Sequence, residues 1–502
     1  MRGRDTPRSP RLRTLVTAVL AAAMVVSAAT PAGAGTSTIG GEGIGDPYFP
    51  RAGNGGYDVR HYHLNVRYEP STGRLEGIAR ITLVPLMDLT RFDFDLVGLH
   101  VERVRVAASP ATWTRRDRHE LVVTPSHLLP AGHAVDAVVR YGGVPVTFRI
   151  PGTPLRTGVV PTDDGADIWG EPQVAAAWFP VNDHPRDKAS YDIDLTVPND
   201  VQAVSNGRLA GRTTHGGRTT WRWIERRPMA SYLALAAIGR FDLRFRRTPG
   251  GLPVIDAVDP DAGDAADFAL GQEVHIVRFL SSRFGPYPFD ALGGVVDDAN
   301  LGAALENQTR PLYPSDFFRR NGSTSIVVHE LAHQWFGDSV SVDLWRYTWL
   351  NEGFATYAEW MWSQATGKGS AAAIAAAYCR IPASDPFWDL RIGEPGVARI
   401  FDPPIYYRGA LTLQALRRRV GVHDFFRILR AWAYGRAGST GTTDQFVSLA
   451  EHVSGRPLDR LFTAWLDTPA RPAHCAGGHT TPARSPPPVP TPNGLLRLDP
   501  PR

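Results

Sequence analysis

The sequence of 502 residues predicts a multidomain protein of α and β structure, in which an N-terminal antiparallel β domain precedes a mainly helical domain. From about residue 56 to 243, short segments alternate apolar and polar residues between Gly, Pro, Asn and Asp, a pattern typical of strands. After about residue 246 apolar residues recur at helical spacing, first in AADFALGQEVHIVRFLSSRF. Roughly 430 residues are enough for two domains, which we place at 46–244 and 245–472.

The N-terminal segment predicts export. It has five arginines and one acid before residue 14, an apolar run over 15–29, and the small residues Ala32, Gly33 and Ala34. This order is typical of a secretory signal peptide, so we expect residues 1–34 to be cleaved and the mature protein to be secreted (extracellular). The apolar run is too short for a comfortable transmembrane helix, so no stable membrane anchor is expected.

The formal net charge of +4 does not indicate a nucleic-acid partner. The excess of basic residues before residue 14 accounts for all of it, so the rest of the chain is nearly neutral. We expect no nucleic-acid binding and a monomer.

The helical domain has recognisable helix ends. Ser323 and Thr324 are candidate N-caps for a helix through SIVVHELAHQWF, which Gly337 would end. A second helix is predicted from near Trp349 to Gly367. Later helices are predicted at 409–420, 423–435, 443–454 and 457–466. The Pro-rich segment 473–502 is predicted to be a disordered tail.

His329 and His333 are spaced i, i+4 and lie on one face of the first of these helices. Glu330 follows the first histidine, and Glu352 follows on the second helix. Two imidazoles and one carboxylate leave an open position on a catalytic zinc ion, while Glu330 is placed to act on a water molecule. The pattern therefore predicts one zinc ion and hydrolytic chemistry. The alternative is a buried helix whose histidines only satisfy core hydrogen bonds. The presence of Glu352 as a third possible ligand disfavours this alternative.

Other polar residues carry weaker predictions. His61 and His63 share one face of a strand but have no third ligand nearby, so we do not predict a metal site there. Cys379 and Cys475 either form one disulfide or remain buried thiols. Thr356 and Glu359, one and two turns after Glu352, either orient a metal ligand or, for Glu359, face solvent.

Three further segments extend the motif: WGEPQVAAAWFPVNDHPRDK at 169–188, GAALENQTRPLY at 302–313 and IYYRGA at 405–410. Together with the metal motif, and in this order, the chain from about residue 46 to 472 resembles the aminopeptidase N family of zinc metallopeptidases. That family also includes leukotriene-hydrolysing epoxide hydrolases. The resemblance implies a thermolysin-like zinc-peptidase domain after the β domain.

The resemblance also implies a role for each matching residue. His329, His333 and Glu352 match the zinc ligands, and Glu330 matches the general base. Ala303, Ala304, Glu306 and Asn307 match the family's amine-binding motif, which holds the free α-amino group of the substrate. Glu171 matches a second amine contact, supplied by the β domain. Tyr406 matches the tyrosine that stabilises the transition state.

The chain departs from the family pattern at three positions. Ala303 replaces Gly and Leu305 replaces Met in the amine-binding motif, which changes the fit to the substrate but removes no catalytic group. Arg408 replaces Lys after the tyrosine. The resemblance to the family ends near residue 472, whereas the longer proteins of the family continue with a C-terminal helical domain. We therefore expect a more open active-site cleft and a weaker restriction on the length of the peptide substrate.

The sequence thus predicts a secreted zinc-dependent aminopeptidase acting on peptide substrates with a free N-terminus. Two alternatives remain: a non-catalytic secreted binding protein on the same frame, and an epoxide hydrolase-type activity at the same site.

Overall fold

The computed structural model describes residues 38–149, 156–299, 301–321 and 324–475. The predicted signal peptide and all but the first three residues of the predicted tail lie outside the described residues. Among the helices within these ranges, none is long and apolar enough to cross a membrane.

The first part of the described chain is built from strands and short turns, as predicted. In chain order the strands are β1 (Thr38–Ile39), β2 (Tyr57–Glu69), β3 (Arg74–Pro85), β4 (Leu89–Asp95), β5 (His100–Val106), β6 (Ser109–Pro110), β7 (Thr112–Arg116), β8 (Glu120–Thr124), β9 (Val135–Gly143), β10 (Thr147–Arg149), β11 (Arg156–Pro161), β12 (Ala166–Trp169), β13 (Lys188–Pro198), β14 (Gln202–Ser205), β15 (Arg208–His215), β16 (Arg218–Ala230), β17 (Ala236–Gly239), β18 (Asp242–Arg247) and β19 (Pro253–Val258).

Strands β1 to β17 form three sheets in the N-terminal part of the chain. The largest has the order β15-β16-β13-β2-β3-β9-β5-β6, a second has the order β10-β11-β12-β17-β14, and a third has the order β1-β4-β8-β7. Most neighbours are antiparallel, as predicted, but β13 runs parallel to β2 and β1 runs parallel to β4. Between β2 and β13 the chain passes through strands of all three sheets, including β10 to β12 of the second.

Alternation of buried and partly exposed side chains along β13 shows why the sequence predicts strands in this part of the chain. Every second side chain is buried, from Ala189 through Tyr191 and Ile193 to Val197, and the residues between them are partly exposed. Because side chains of a strand point alternately to opposite faces, this sequence fits a sheet with one face against a core.

The second part of the described chain is mainly helical. Its elements are α1 (Asp264–Gly271), α2 (Glu273–Phe284), β20 (Val295–Asp297), β21 (Leu312–Pro314), α3 (Asp316–Asn321), α4 (Ser325–His333), β22 (Val340–Val342), α5 (Trp349–Ala365), α6 (Ala371–Tyr378), α7 (Pro403–Val420), α8 (Val422–Gly435), β23 (Ser439–Gly441), α9 (Thr443–Ser454) and α10 (Asp459–Phe462). The sheet β18-β19-β20-β21 precedes most of these helices. The sequence did not predict this sheet, and its strands β20 and β21, of three residues each, are too short to show alternation.

The predicted helix bounds agree with the structure for some helices and differ for others. The predictions for α8 and α9 are confirmed, and Thr442 caps α9 through a reciprocal pair of hydrogen bonds with Gln445. Helix α7 begins at Pro403, earlier than predicted, because two prolines are tolerated in a first turn whose N–H groups need no helical partner. Helix α4 ends at His333 rather than near Gly337, and α10 continues as a π-helical turn through Asp467.

Two contacts fix the helical part around the predicted site. Helix α5 packs against both α4 and α7, so that the three helices carrying the predicted metal ligands and tyrosine form one unit. Cys379, directly after α6, forms a disulfide with Cys475, which settles the question that the sequence left open.

Candidate active site

The three predicted metal ligands converge between α4 and α5. His329 Nε2 lies 3.2 Å and His333 Nε2 lies 3.5 Å from the same oxygen, Oε2 of Glu352. One potential ligand atom from each residue lies within 4.8 Å of the other two. All three side chains are buried. The i, i+4 spacing places both imidazoles on one face of α4, and the first turn of α5 supplies the carboxylate.

The other nitrogen of each imidazole has its own hydrogen bond. His329 Nδ1 donates to Glu359 Oε1 at 2.8 Å, and His333 Nδ1 donates to the carbonyl oxygen of Phe336 at 3.0 Å. These bonds leave both Nε2 atoms free to bind a cation, the arrangement usual at zinc sites. Of the two alternatives for Glu359, the structure supports the orienting role. Thr356 is buried in α5, and its orienting role stays a prediction.

The carboxylates of Glu330 and Glu352 have opposite electrostatic environments. Burial raises the pKa of Glu330 to about 8, although His329 and His333 act against this shift. Burial would also raise the pKa of Glu352, but His333 and the hydrogen bond with His329 lower it to about 2. Glu352 is therefore an anion across the working pH range, whereas Glu330 can take up and release a proton near neutrality.

A cluster of three carboxylate side chains includes the metal ligand Glu352. One carboxylate oxygen from each of Glu171, Glu306 and Glu352 lies within 4.8 Å of the others. Burial raises the pKa of Glu306, and burial together with Glu306 raises the pKa of Glu171 well above its usual range. Among the described residues, Glu306 Oε1 has no hydrogen-bond partner. Crowded carboxylates of this kind are stabilised by a cation placed between them.

The amine-binding motif lies along one wall of the cavity. Ala303, Ala304, Leu305 and Glu306 line it, and Leu305 is held by paired backbone hydrogen bonds with Leu312. Asn307, also predicted to contact the substrate, is fully buried behind this wall. Its Nδ2 donates to the carbonyl oxygen of Leu233 at 3.1 Å. Asn307 thus anchors the motif to the β domain, and its contact with substrate stays a prediction.

Tyr406 lines the same cavity, and its ring is stacked against the His329 ring at 6.1 Å. Burial raises the pKa of Tyr406 well above its usual range. The hydroxyl therefore remains a neutral hydrogen-bond donor.

Arg408, which stands where the family pattern has lysine, has a structural role. The guanidinium is fully buried and donates to backbone carbonyl oxygens on both sides of α7. The acceptors are those of Trp388, Leu390, Ala464, Trp465 and Thr468. An arginine has five N–H donors and a lysine has three, so the substitution supplies more bonds between α7 and the segments around it.

Four cavity residues were missed by the sequence analysis: Thr157, Trp169, Gly170 and Phe401. Trp169 and Gly170 directly precede Glu171 in the segment already singled out, so that segment carried a signal for them. Thr157 and Phe401 belong to no motif, and the fold alone brings them to the site.

Comparisons with known proteins agree with this geometry. Residues 268–465 match the peptidase family M1 domain, and residues 169–233 match the peptidase M1 N-terminal domain. Aminopeptidase M1 of Arabidopsis thaliana is 28% identical over 320 residues, which cover 59% of this chain and 36% of the plant protein. Glutamyl aminopeptidase of Rattus norvegicus is 26% identical over 467 residues, covering 83% of this chain and 48% of the rat protein. The chain thus matches about a third to a half of the length of these relatives.

Solved structures match over a larger share. The crystal structure of an M1 zinc metallopeptidase from Deinococcus radiodurans, a glutamate-to-alanine mutant bound to a Tyr-Ser-Ala substrate, superposes with a TM-score of 0.78. That structure is 28% identical in sequence, and the match covers 89% of this chain and 100% of that chain. The β-rich domain followed by a helical peptidase domain is therefore a shared architecture.

Proposed function

Because the chain belongs to peptidase family M1, we propose that it is a secreted, zinc-dependent aminopeptidase that removes N-terminal residues from peptides. The members of its catalytic set are all present: His329, His333 and Glu352 as metal ligands, Glu330 as general base and Tyr406 as oxyanion donor. A non-catalytic binding protein would need none of these to be retained.

The donor set fits zinc. Both Nε2 atoms point toward the same carboxylate oxygen, and both Nδ1 atoms are engaged elsewhere. Two imidazoles and one carboxylate are a common catalytic zinc set. When bound there, zinc supplies a Lewis acid that acidifies water and polarises the scissile carbonyl.

The protein groups perform the proton transfers. Glu330 takes the proton from the attacking water and delivers it to the leaving amine, a task suited to a carboxylate whose pKa is raised by burial to about 8. Tyr406 donates a hydrogen bond to the oxygen that gains negative charge in the transition state.

The observation that carries the exopeptidase proposal is the convergence of Glu171 and Glu306 beside the metal ligand Glu352. A substrate ammonium group placed among these carboxylates offsets part of their negative charge and can donate to the free oxygen of Glu306. An N-acetylated substrate has no such cation and would leave the buried carboxylates unpaired. The site therefore selects peptides by their free N-terminus.

Secretion and a monomeric state complete the proposal. The signal-peptide pattern at 1–34 supports export, and the Cys379–Cys475 disulfide supports an oxidising compartment. N-terminal sequencing of protein from the culture medium should find residue 35 first, and light scattering should give the mass of one chain. Intracellular protein retaining residue 1, or a dimer mass, would contradict these two parts.

Metal analysis together with Glu330→Gln tests the catalytic proposal. Zinc-loaded protein should hydrolyse aminoacyl reporter substrates, and chelation should abolish the activity until zinc is restored. Glu330→Gln should keep its zinc and lose hydrolysis, since the amide cannot take up a proton. Zinc-loaded protein without activity would support a binding protein instead, whereas full activity in Glu330→Gln would contradict the role of Glu330 as general base.

A further inference from the structure

A second group of potential metal ligands lies in the β domain, away from the peptidase site. Asp95 ends β4, Glu120 begins β8, and His119 directly precedes Glu120. One potential ligand atom from each of the three lies within 4.8 Å of the other two. No residue of this group lines the peptidase cavity.

The two carboxylates face one another across the sheet. Asp95 and Glu120 are directly paired in the antiparallel register of β4 and β8, and both are buried. Like charges directly opposite on neighbouring strands destabilise a sheet, and buried carboxylates need a counter-charge. This pair therefore requires a compensating group.

Protein donors compensate only part of the pair. Asp95 Oδ2 accepts hydrogen bonds from the backbone N–H of Asp183 at 2.8 Å and from Asn54 Nδ2 at 3.1 Å. Glu120 Oε1 lies 2.8 Å from His119 Nδ1. The remaining oxygens, Asp95 Oδ1 and Glu120 Oε2, have no hydrogen-bond partner among the described residues. His119 Nδ1 is 3.5 Å from Asp95 Oδ1, too far for a good bond.

The neighbouring guanidinium groups are engaged elsewhere. Arg116 pairs with Glu42 and lies 3.8 Å from Asp93. Arg115 donates to the backbone carbonyl oxygens of Leu96 and Arg118. Among the described residues, His119 is the one basic side chain within 4.0 Å of either carboxylate, while Arg115 and Arg116 act on the charge of Glu120 from farther away.

We propose that Asp95, His119 and Glu120 bind a second divalent metal ion of the zinc or manganese class. One imidazole nitrogen and two carboxylate oxygens suit such an ion, since imidazole is a poor ligand for calcium or magnesium. A divalent cation neutralises both carboxylates and uses their free oxygens. The side chain of His119 is 20% exposed, so the ion has a route to solvent.

The role of this ion is structural. Asp95 exchanges two backbone hydrogen bonds with Val181 and binds the N–H of Asp183 through its side chain. Both residues belong to the segment that follows Glu171 in the chain. The ion therefore joins β4 and β8 and stiffens the attachment of this segment, without touching the substrate cavity.

Metal stoichiometry tests the proposal. Protein stripped with a chelator, reloaded with zinc or manganese and dialysed should hold two equivalents per chain by elemental analysis. Glu120→Gln should hold one equivalent and keep its aminoacyl hydrolysis rate, because the lost ion is the structural one. Glu352→Gln, which weakens the peptidase site, should also hold one equivalent but lose hydrolysis.

Fold integrity is controlled by the choice of variant. Among the described residues, the Glu120 side chain has one hydrogen-bond partner, His119, whereas Asp95 accepts hydrogen bonds from Asp183 and Asn54, so Glu120→Gln is the milder change. His119→Gln, at a partly exposed position, provides a second variant with the same expected loss of one equivalent. Added manganese should raise the unfolding temperature of the wild type by several degrees more than that of either variant. One equivalent in the wild type that is kept in Glu120→Gln and lost in Glu352→Gln, or two equivalents in both Glu120→Gln and His119→Gln, would overturn the proposal. Neither result depends on whether the protein is an aminopeptidase.

Discussion

Gly353 of α5 and Gly409 of α7 are in direct backbone contact at the point where the two helices cross. A Cβ atom added to Gly353 would lie 2.9 Å from Cα of Gly409, and one added to Gly409 would lie 2.8 Å from Cα of Gly353. Gly353 follows the metal ligand Glu352 directly, and Gly409 lies three residues after Tyr406. The crossing therefore sets the distance between a metal ligand and Tyr406, the proposed oxyanion donor.

Gly409→Ala should damage both stability and catalysis. The added methyl group meets backbone atoms, which cannot rotate away, so the helices must separate. Overpacking of this kind costs about 1–3 kcal/mol, and a displaced Tyr406 should lower kcat. Urea unfolding and steady-state kinetics measure the two effects. Gly435→Ala, at the open end of α8, is the matched control and should change neither. Unchanged kcat in Gly409→Ala would show that the crossing does not set the site.

Tyr406→Phe should lower kcat about 100- to 1000-fold, the usual loss for one oxyanion donor. KM should change little, since the hydroxyl acts on charge that develops only in the transition state. Tyr407→Phe is a close control, because Tyr407 stacks on Tyr378 at 4.9 Å and does not line the cavity. Equal losses in the two variants would remove the special role of Tyr406.

Glu306→Gln should lower kcat/KM for substrates with a free N-terminus by about 10- to 100-fold, because a charge-assisted hydrogen bond contributes about 1.5–3 kcal/mol. Any slow hydrolysis of N-acetylated substrates should be unaffected, so the ratio of kcat/KM for free over N-acetylated substrates should fall. Exposed Glu102→Gln is the control. A uniform loss for free and blocked substrates would instead make Glu306 a structural residue.

The raised pKa of Asp187 should make the free energy of unfolding depend on pH. Burial, with Asp58 adding to it, raises the pKa of Asp187 to about 8 in the folded state, against an unfolded value of about 4. The folded state therefore binds more protons between these values, and the contribution of Asp187 to stability is lost as the pH rises toward 8. Asp187→Asn should match the wild type near pH 4 and exceed it at pH 8.5 in urea unfolding. Exposed Asp200→Asn should track the wild type at both pH values, and an Asp187→Asn curve parallel to the wild type would contradict the shift.

The metal site was predictable because its signal is local. The i, i+4 pair His329 and His333 fixes its own geometry once a helix forms, and Glu352 needs only a second helix beside the first. The same holds for α9, because its capping box is formed by Thr442 and Gln445, which lie three residues apart. The resemblance to a known family then supplied Glu306, Glu171 and Tyr406, which no spacing rule connects to the metal.

Long-range relationships were not predictable. Thr157 and Phe401 meet at the cavity only because separate parts of the chain pack there. The parallel pairing of β13 with β2 depends on the path of the intervening strands. The Gly353–Gly409 contact joins two helices that the sequence shows separately, and a glycine inside a helix does not reveal its partner.

The proposed aminopeptidase function depends on selection for a free N-terminus at the metal site. The most direct measurement follows one peptide, with a free or an N-acetylated terminus, by mass spectrometry during incubation with the zinc-loaded protein. The free peptide should lose residues one at a time from its N-terminus, while the acetylated peptide should remain intact over the same period. Internal cleavage, or equal rates for both peptides, would contradict the role of Glu171 and Glu306 and with it the aminopeptidase proposal.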